Sequence, residues 1–404
     1  MWPAPPHPLH RSSTPTLPGP LLSSFTRRPL PHRRRSSLQF SSSSSSPPSS
    51  LQFDPLTAAG RLLWGHSLPP GTLVSAARVA WSSVWHLMMR QLAPSSPSGS
   101  YSRPPSPFPI VPPSYLRSPA HLHLYAALPC PWAHRTLIVR ALRSLESAVP
   151  FSLAAPGPDG SWQFLLPAAA ATGAAGNLIP TADLANGRRT LRDVYESRPG
   201  GYRGRSTVPM LWDPDRRDVI CNESYAIIEF FNAIGSGCGD LAPAHLRPEI
   251  ENWNRIIHPK INNGVYRCGF AQSQEAYDAA AAELFSAMDE VEDHLSSSRF
   301  LCGEQLTLAD VCLFTTLIRF DVVYNVLFRC TKKKLVEYPN LHGYAREIYQ
   351  MPKVAETCDL PAIVEGYYGT LFPLNPGGIR PAMPAACERD SLSKPHNRGS
   401  ISAA

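Results

Sequence analysis

The chain has 404 residues, with 38 Lys+Arg against 31 Asp+Glu, 44 Pro and 9 Cys. Its formal charge of +7 taken alone suggests an acidic partner such as nucleic acid or an anionic membrane, yet residues 1–110 hold ten Arg, no Lys and one acid (Asp54), which leaves the remainder at −2. No stretch reaches the roughly 18–20 uninterrupted apolar residues of a spanning helix, so an ordinary membrane span is excluded and a nucleic-acid surface on the folded part is disfavoured.

Residues 1–50 are Ser, Pro, Arg and Leu, with a hexaserine run (Ser41–Ser46) and no acid. Such a segment buries too little apolar surface to offset chain entropy. Arg-rich, Ser-rich, acid-poor composition marks an organelle transit peptide, assigned here to residues 1–55. Its Ser/Pro bias favours the chloroplast, with the mitochondrion as alternative; the Arg33–Arg35 triplet could instead be a nuclear or nucleic-acid tract. Residues 56–113 read as an arm and linker. Within them 71–93 are apolar but interrupted by Arg78, His86 and Arg90, as expected of an arm packed on the domain or of a membrane-surface helix.

From His121 the pattern is that of a folded domain. His121–Tyr125 alternates as a strand does, and Ile138, Ala141, Leu142 and Leu145 follow a helical spacing after Pro131. Val208–Trp212 and Asp218–Cys221 are short apolar runs that predict a strand pair, and Ser224, as N-cap, opens a helix with Ile227, Ile228, Phe231 and Ile234 on one side. This predicts a small α/β domain over 114–240. Beyond Ala242 the pattern is helical: Tyr277, Ala281, Leu284, Met288, Val291 and Leu295 form one stripe. Thr307–Asp310 reads as a capping box, and a third helix ends before Pro352. An all-helical domain is therefore expected over 241–382, then an unstructured tail over 383–404.

The sharpest chemical feature is Cys130-Pro131-Trp132-Ala133 at a strand-to-helix junction. A thiol at a helix N-terminus faces unpaired N–H groups and the positive end of the macrodipole, which favour the thiolate. Ala133 stands where a Cys-x-x-Cys pair has its second thiol, so an external thiol must resolve any disulfide formed. A buried inert Cys is the alternative. The other eight Cys show no metal spacing, so no metal is expected. His121 and His123 would share a strand face as a solvated or hydrogen-bonded pair. Val208-Pro209 is by default a trans turn; a cis bond would turn the Val208 backbone edge outward for an extended peptide. Glu223-Ser224 at a helix start could hold a carboxylate.

These motifs resemble the glutathionyl-hydroquinone reductases, the Xi class of glutathione transferases. The resemblance runs through Cys130–Leu137, Thr207–Asp213, Asn222–Ser224, Asn262–Tyr266, Leu313–Asp321, Tyr338–Leu341, Tyr367–Gly369 and Leu374–Ile379, over about residues 99–382 and most like plant and cyanobacterial members. It implies a two-domain glutathione transferase fold: a thioredoxin-like N-terminal domain, an all-helical C-terminal domain, and a homodimer. It also implies glutathione as co-substrate and glutathionylated hydroquinones as substrates, with no nucleic acid and no metal. By motif, Cys130 is the nucleophile, Tyr266 the proton donor, and Tyr324 and Tyr367 the tyrosines that lower the thiol's pKa. Trp162, Arg205, Thr207, Val208, Glu223 and Ser224 are the glutathione-binding set. The Ala/Gly-rich residues 165–188 and Tyr225 depart from the family pattern. The rival activities are thiol transfer or dehydroascorbate reduction, or a non-catalytic glutathione-fold binding role.

Overall fold

The structure, a computed structural model, describes residues 72–117, 121–157, 159–166 and 178–401. The transit segment assigned to 1–55 and the alanine run at 168–171 lie outside the described residues. The first element is a helix, α1 (Thr72–Leu92). It packs through Trp85 and Met89, and the Trp85 indole donates to the Pro373 carbonyl at 3.0 Å. Val79, Trp81, Val84 and Leu87 of the same helix are exposed. After a single turn, α2 (Ser114–Arg117), strand β1 (His123–Ala126) is buried at every position. It is followed by helix α3 (Pro131–Leu142) and strand β2 (Phe151–Leu153).

β1 pairs parallel to β2, as a crossover through α3 requires. A small separate hairpin, β3 (Ala155–Pro156) with β4 (Trp162–Gln163), precedes the short helix α4 (Leu191–Glu196). Strands β5 (Met210–Asp213) and β6 (Asp218–Cys221) form the expected antiparallel pair, and the sheet runs β2-β1-β5-β6. Helix α5 (Ser224–Ile234) packs on α3, with Ile227, Ile228 and Phe231 buried and Ile234 partly so. This β-α-β then β-β-α succession is thioredoxin-like. The helix cap differs from the sequence reading: Glu223 is the N-cap and accepts from the Tyr225 N–H, and Ser224 is the first helical residue. The two histidines differ too. His121 is exposed beside Asp215, while His123 is buried against Ser152 and pulled down to about 4 by burial.

The second half is helical: α6 (Arg247–Ile257), α7 (Gly264–Gly269), α8 (Gln274–His294), α9 (Leu308–Arg319), α10 (Pro339–Tyr349) and α11 (Leu360–Thr370). Leu284, Met288, Val291 and Leu295 of the expected α8 stripe are fully buried, and both halves contribute to one hydrophobic core. Two five-residue π turns interrupt the helical run. His258–Asn262 joins α6 to α7 and contains Pro259, whose ring nitrogen cannot donate to the preceding turn; Phe320–Tyr324 extends α9. Residues past Ala382 are not the expected structureless tail. A turn of helix, α12 (Arg389–Leu392), buries Leu392, and the buried Arg398 donates to the Leu295, Ser298 and Arg299 carbonyls.

The capping box at α9 is formed and goes beyond its own helix. The buried Asp310 carboxylate accepts from the Thr307 N–H and hydroxyl (both 2.7 Å), the Leu301 N–H (2.9 Å) and the Tyr344 hydroxyl (2.7 Å). Asp310→Ala would strand these donors out of water, at roughly 1–3 kcal/mol for each one left unsatisfied. We expect a loss of about 3 kcal/mol in stability, read as a lower urea midpoint with an unchanged slope.

Candidate active site

Cys130 closes the turn after β1 and is the N-cap of α3, with extended backbone (φ −77°, ψ 117°). Its thiol donates to the Val208 carbonyl at 3.4 Å. The Val208–Pro209 bond is cis, where the trans form was the sequence default. The influences expected to favour the thiolate are present: the N–H groups of Ala133 and Trp132 pull the thiol down, as do the charges of Arg103 and Arg319. They do not prevail. Burial is the largest effect and pushes the Cys130 thiol above its ordinary value.

The three tyrosines converge on one point. Tyr266 (α7) and Tyr367 (α11) share a hydrogen bond of 2.6 Å between their hydroxyls, and Tyr324 shares one of 3.1 Å with Tyr367. Phe328 packs edge-on against the Tyr266 and Tyr367 rings and stacks with Tyr324. Burial raises all three phenols, and the Cys130 charge raises Tyr266 and Tyr324 further, so both lie within its field. The hydroxyls bond one another, while the thiol is bonded to Val208. The hydroxyls thus form a chain of their own, within the field of the sulfur and bonded to one another.

The expected peptide-binding residues are less uniform. Val208 is buried beside the thiol. Thr207 is half-buried; its carbonyl accepts from the Tyr195 hydroxyl and its own hydroxyl from the Asn222 amide. Arg205 lies exposed on the preceding loop. Glu223 and the buried Ser224 begin α5, where Arg135 of α3 reaches the Ser224 hydroxyl at 3.4 Å. Trp162 is on β4 opposite Pro156 and half-buried, and its partner strand β3 packs on α11, the helix of Tyr367.

A cavity of about 340 Å³ opens next to this set, lined by Trp132, Glu223, His258 and Arg267 and closed on one side by Tyr101 and Arg103. The linker thus lies along the site. The Asn222 N–H donates to the Phe108 carbonyl at 3.0 Å, directly before Glu223, and the Arg103 guanidinium stands 4.0 Å over the Trp132 ring. Sequence reading missed Arg103 because Pro and Ser dominate its surroundings. It also missed Arg135, whose guanidinium is 2.6 Å from the Asn262 side-chain oxygen and 4.4 Å from the Trp132 ring. Arg319 was missed as well, though one signal was available: an Arg inside the apolar run Leu313–Phe320 has to be buried with partners. Among the described residues no cluster of His, Cys, Asp or Glu is arranged to hold a metal ion.

Residues 129–234 match the glutathione S-transferase N-terminal domain and residues 274–347 the corresponding C-terminal domain. The chain is 41% identical over 281 residues to the glutathionyl-hydroquinone reductase YqjG of Escherichia coli, covering 68% of this chain and 82% of that protein. The chain belongs to the glutathionyl-hydroquinone reductase family. Another relative, the glutathionyl-hydroquinone reductase PcpF of Sphingobium chlorophenolicum, is 40% identical over 273 residues, covering 66% of this chain and 84% of that protein. The Xi-class structure from Phanerochaete chrysosporium superposes with a TM-score of 0.65 at 34% identity, over 72% of this chain and 95% of that one. The glutathione-bound structure of the Escherichia coli relative gives 0.61 at 40% identity, over 69% and 87%. The fold is thus that of a glutathione transferase, and this member of the reductase family is an enzyme.

The raised thiol has a measurable sign. In the ligand-free protein the Cys130 thiolate fraction at pH 7 should fall below that of an ordinary cysteine, whose pKa is about 8.5. Iodoacetamide labelling of Cys130, followed by peptide mass mapping, should still accelerate above pH 9. A rate already level below pH 7 would contradict this.

Proposed function

We propose that this enzyme reduces glutathionyl hydroquinones to hydroquinones, with oxidised glutathione as the second product. The observation that carries the reading is the hydroxyl chain Tyr266–Tyr367–Tyr324 within the field of a lone thiol at a helix start. The Cys130 sulfur attacks the thioether sulfur of the substrate, or of its keto tautomer in which the carbon–sulfur bond is weaker, forming a Cys130–glutathione disulfide. The aryl carbon–sulfur bond breaks, and the aryl carbon takes a proton from Tyr266, which recovers it through Tyr367. The aromatic carbon is reduced and the two sulfurs are oxidised to the disulfide. A second glutathione, as thiolate, attacks that disulfide and leaves as oxidised glutathione, returning Cys130. Ala133 suits this scheme, since no neighbouring thiol competes for the mixed disulfide.

In this reading the tripeptide pairs with the backbone of Val208, with Arg205 and Thr207 beside it and Trp162 over it, and its γ-glutamyl end meets Glu223 and Ser224. A peptide N–H donated to the Val208 carbonyl would displace the Cys130 thiol from it. Losing that bond removes a stabilisation of the neutral thiol, so substrate binding itself favours the thiolate. The acid-free composition of residues 1–50 supports import into the chloroplast, or else the mitochondrion. The exposed Val326, Phe372 and Ile379 are consistent with work as a homodimer.

Cys130→Ala should abolish glutathione-dependent release of hydroquinone from a panel of glutathionylated hydroquinones while the thermal transition is kept. Near-full activity in that variant would remove Cys130 from the nucleophile's role. The rival reading, simple thiol transfer or dehydroascorbate reduction, uses Cys130 without an aromatic proton donor. Tyr266→Phe separates the two: we expect hydroquinone release to drop about 10²- to 10⁴-fold, with reduction of a small glutathione mixed disulfide little changed. Equal losses in both assays would favour the rival.

A further inference from the structure

Arg319 is the last residue of α9 and has no exposed surface. Its Nε donates to the Pro129 carbonyl (3.1 Å) and Nη2 to the Leu128 carbonyl (2.8 Å). Nη1 donates to the Thr315 carbonyl (2.8 Å) and to His134 Nδ1 (3.0 Å). Every partner is neutral. His134 accepts at Nδ1, so its proton lies on Nε2 and is given to the Thr357 hydroxyl at 2.9 Å; burial and the Arg319 charge keep it uncharged, well below its ordinary value. Among the described residues no carboxylate lies within ion-pair distance of Arg319, nor of the buried Arg135 and Arg143, whereas Arg398 and Arg198 face Glu347 and Asp218.

A buried guanidinium without an anion is costly, because its hydration is lost and no opposite charge replaces it. The acidic protons within its field are those of Cys130, Cys358, Tyr324 and Tyr367, each of which it draws toward ionisation. Burial holds Cys358 up at about 12 and raises both phenols, so these stay protonated near neutrality. Cys130 has in addition the N–H groups of Ala133 and Trp132, and Arg103 from the linker. The carbonyls that Arg319 grips belong to the two residues before Cys130. Gly366, next to Tyr367, presses on the same turn: a Cβ there would overlap the Pro129 ring.

The geometry points to Arg319 as the positioning residue of the nucleophile: it fixes the Leu128–Pro129 turn that sets the Cys130 sulfur, and it is the standing counter-charge for the Cys130 thiolate. This rests on Cys130 being the nucleophile but not on the identity of any quinone. The second domain thereby adds to the charge around the thiol through a residue bonded to the turn before it.

The test is the pH dependence of iodoacetamide labelling at Cys130 in the full-length protein, located by peptide mapping, with a melting curve for each variant. No quinone is needed, so this measurement and the hydroquinone assay can succeed or fail independently. Arg319→Gln should raise the labelling midpoint by up to about one pH unit, lowering thiolate at a fixed pH by up to about 10-fold. Arg319→Lys, which can hold a charge but loses the fork on the Leu128 and Pro129 carbonyls, should raise it less than Arg319→Gln. A folded Arg319→Gln with an unchanged midpoint would overturn the proposal. So would a Lys variant that rises as far as the Gln variant, or a shift seen at Cys358 in place of Cys130. If Arg319→Gln does not fold, the Lys variant decides alone: a raised midpoint supports the proposal, and a midpoint unchanged from the wild type overturns it.

Discussion

The amide groups left without helical partners at the start of α3 face a sulfur largely hidden from water, and much of the surrounding structure answers that tension. Desolvation disfavours the charged form; N–H dipoles and the guanidiniums of Arg103 and Arg319 favour it. Desolvation is the larger effect. A thiol held this way is protonated at rest and lends its hydrogen to the Val208 carbonyl. The cost of arranging it falls on the fold: a positive charge is buried in α9 with only carbonyls and a neutral imidazole around it.

That arrangement explains why the two domains share one core. The glutathione-fold half supplies the helix start and the Val208 backbone edge, and the helical half supplies the hydroxyls. Arg135 joins them from the other side of the helix, reaching Ser224 and Asn262, while Asn262 donates to Thr316 at 2.7 Å and to the Cys312 carbonyl at 3.0 Å. The linker completes the enclosure by laying Arg103 over Trp132, so the indole carries two guanidiniums.

Elements whose stability comes from local pattern were legible in the sequence. The α8 stripe, the Thr307–Asp310 box, the β5–β6 pair and the thiol at a helix start all follow from spacing and cap chemistry within a few residues. What escaped depends on partners far along the chain. Arg398 is ordered by carbonyls about a hundred positions earlier, so residues 383–401 gave no local sign of structure. The linker's course is set by the Phe108–Asn222 pairing, and Arg103 becomes part of the site only through it. The sign of the Cys130 shift escaped for the same reason: the helix start is visible in sequence, whereas the depth of burial is a property of the assembled core.

The π turns carry one more consequence. Each five-residue loop of backbone adds a residue to its helical path, and at about 3.6 residues per turn one residue swings everything after it by roughly 100°. Tyr266 follows one such turn and Tyr324 ends the other. Two of the three hydroxyls are therefore aimed by chain length as much as by side-chain chemistry. Along Arg247–Gly269 and Leu308–Asn325 the protein can exchange residue types far more freely than it can gain or lose one, since a single deletion would turn a phenol away from its partners while leaving a sound helix behind.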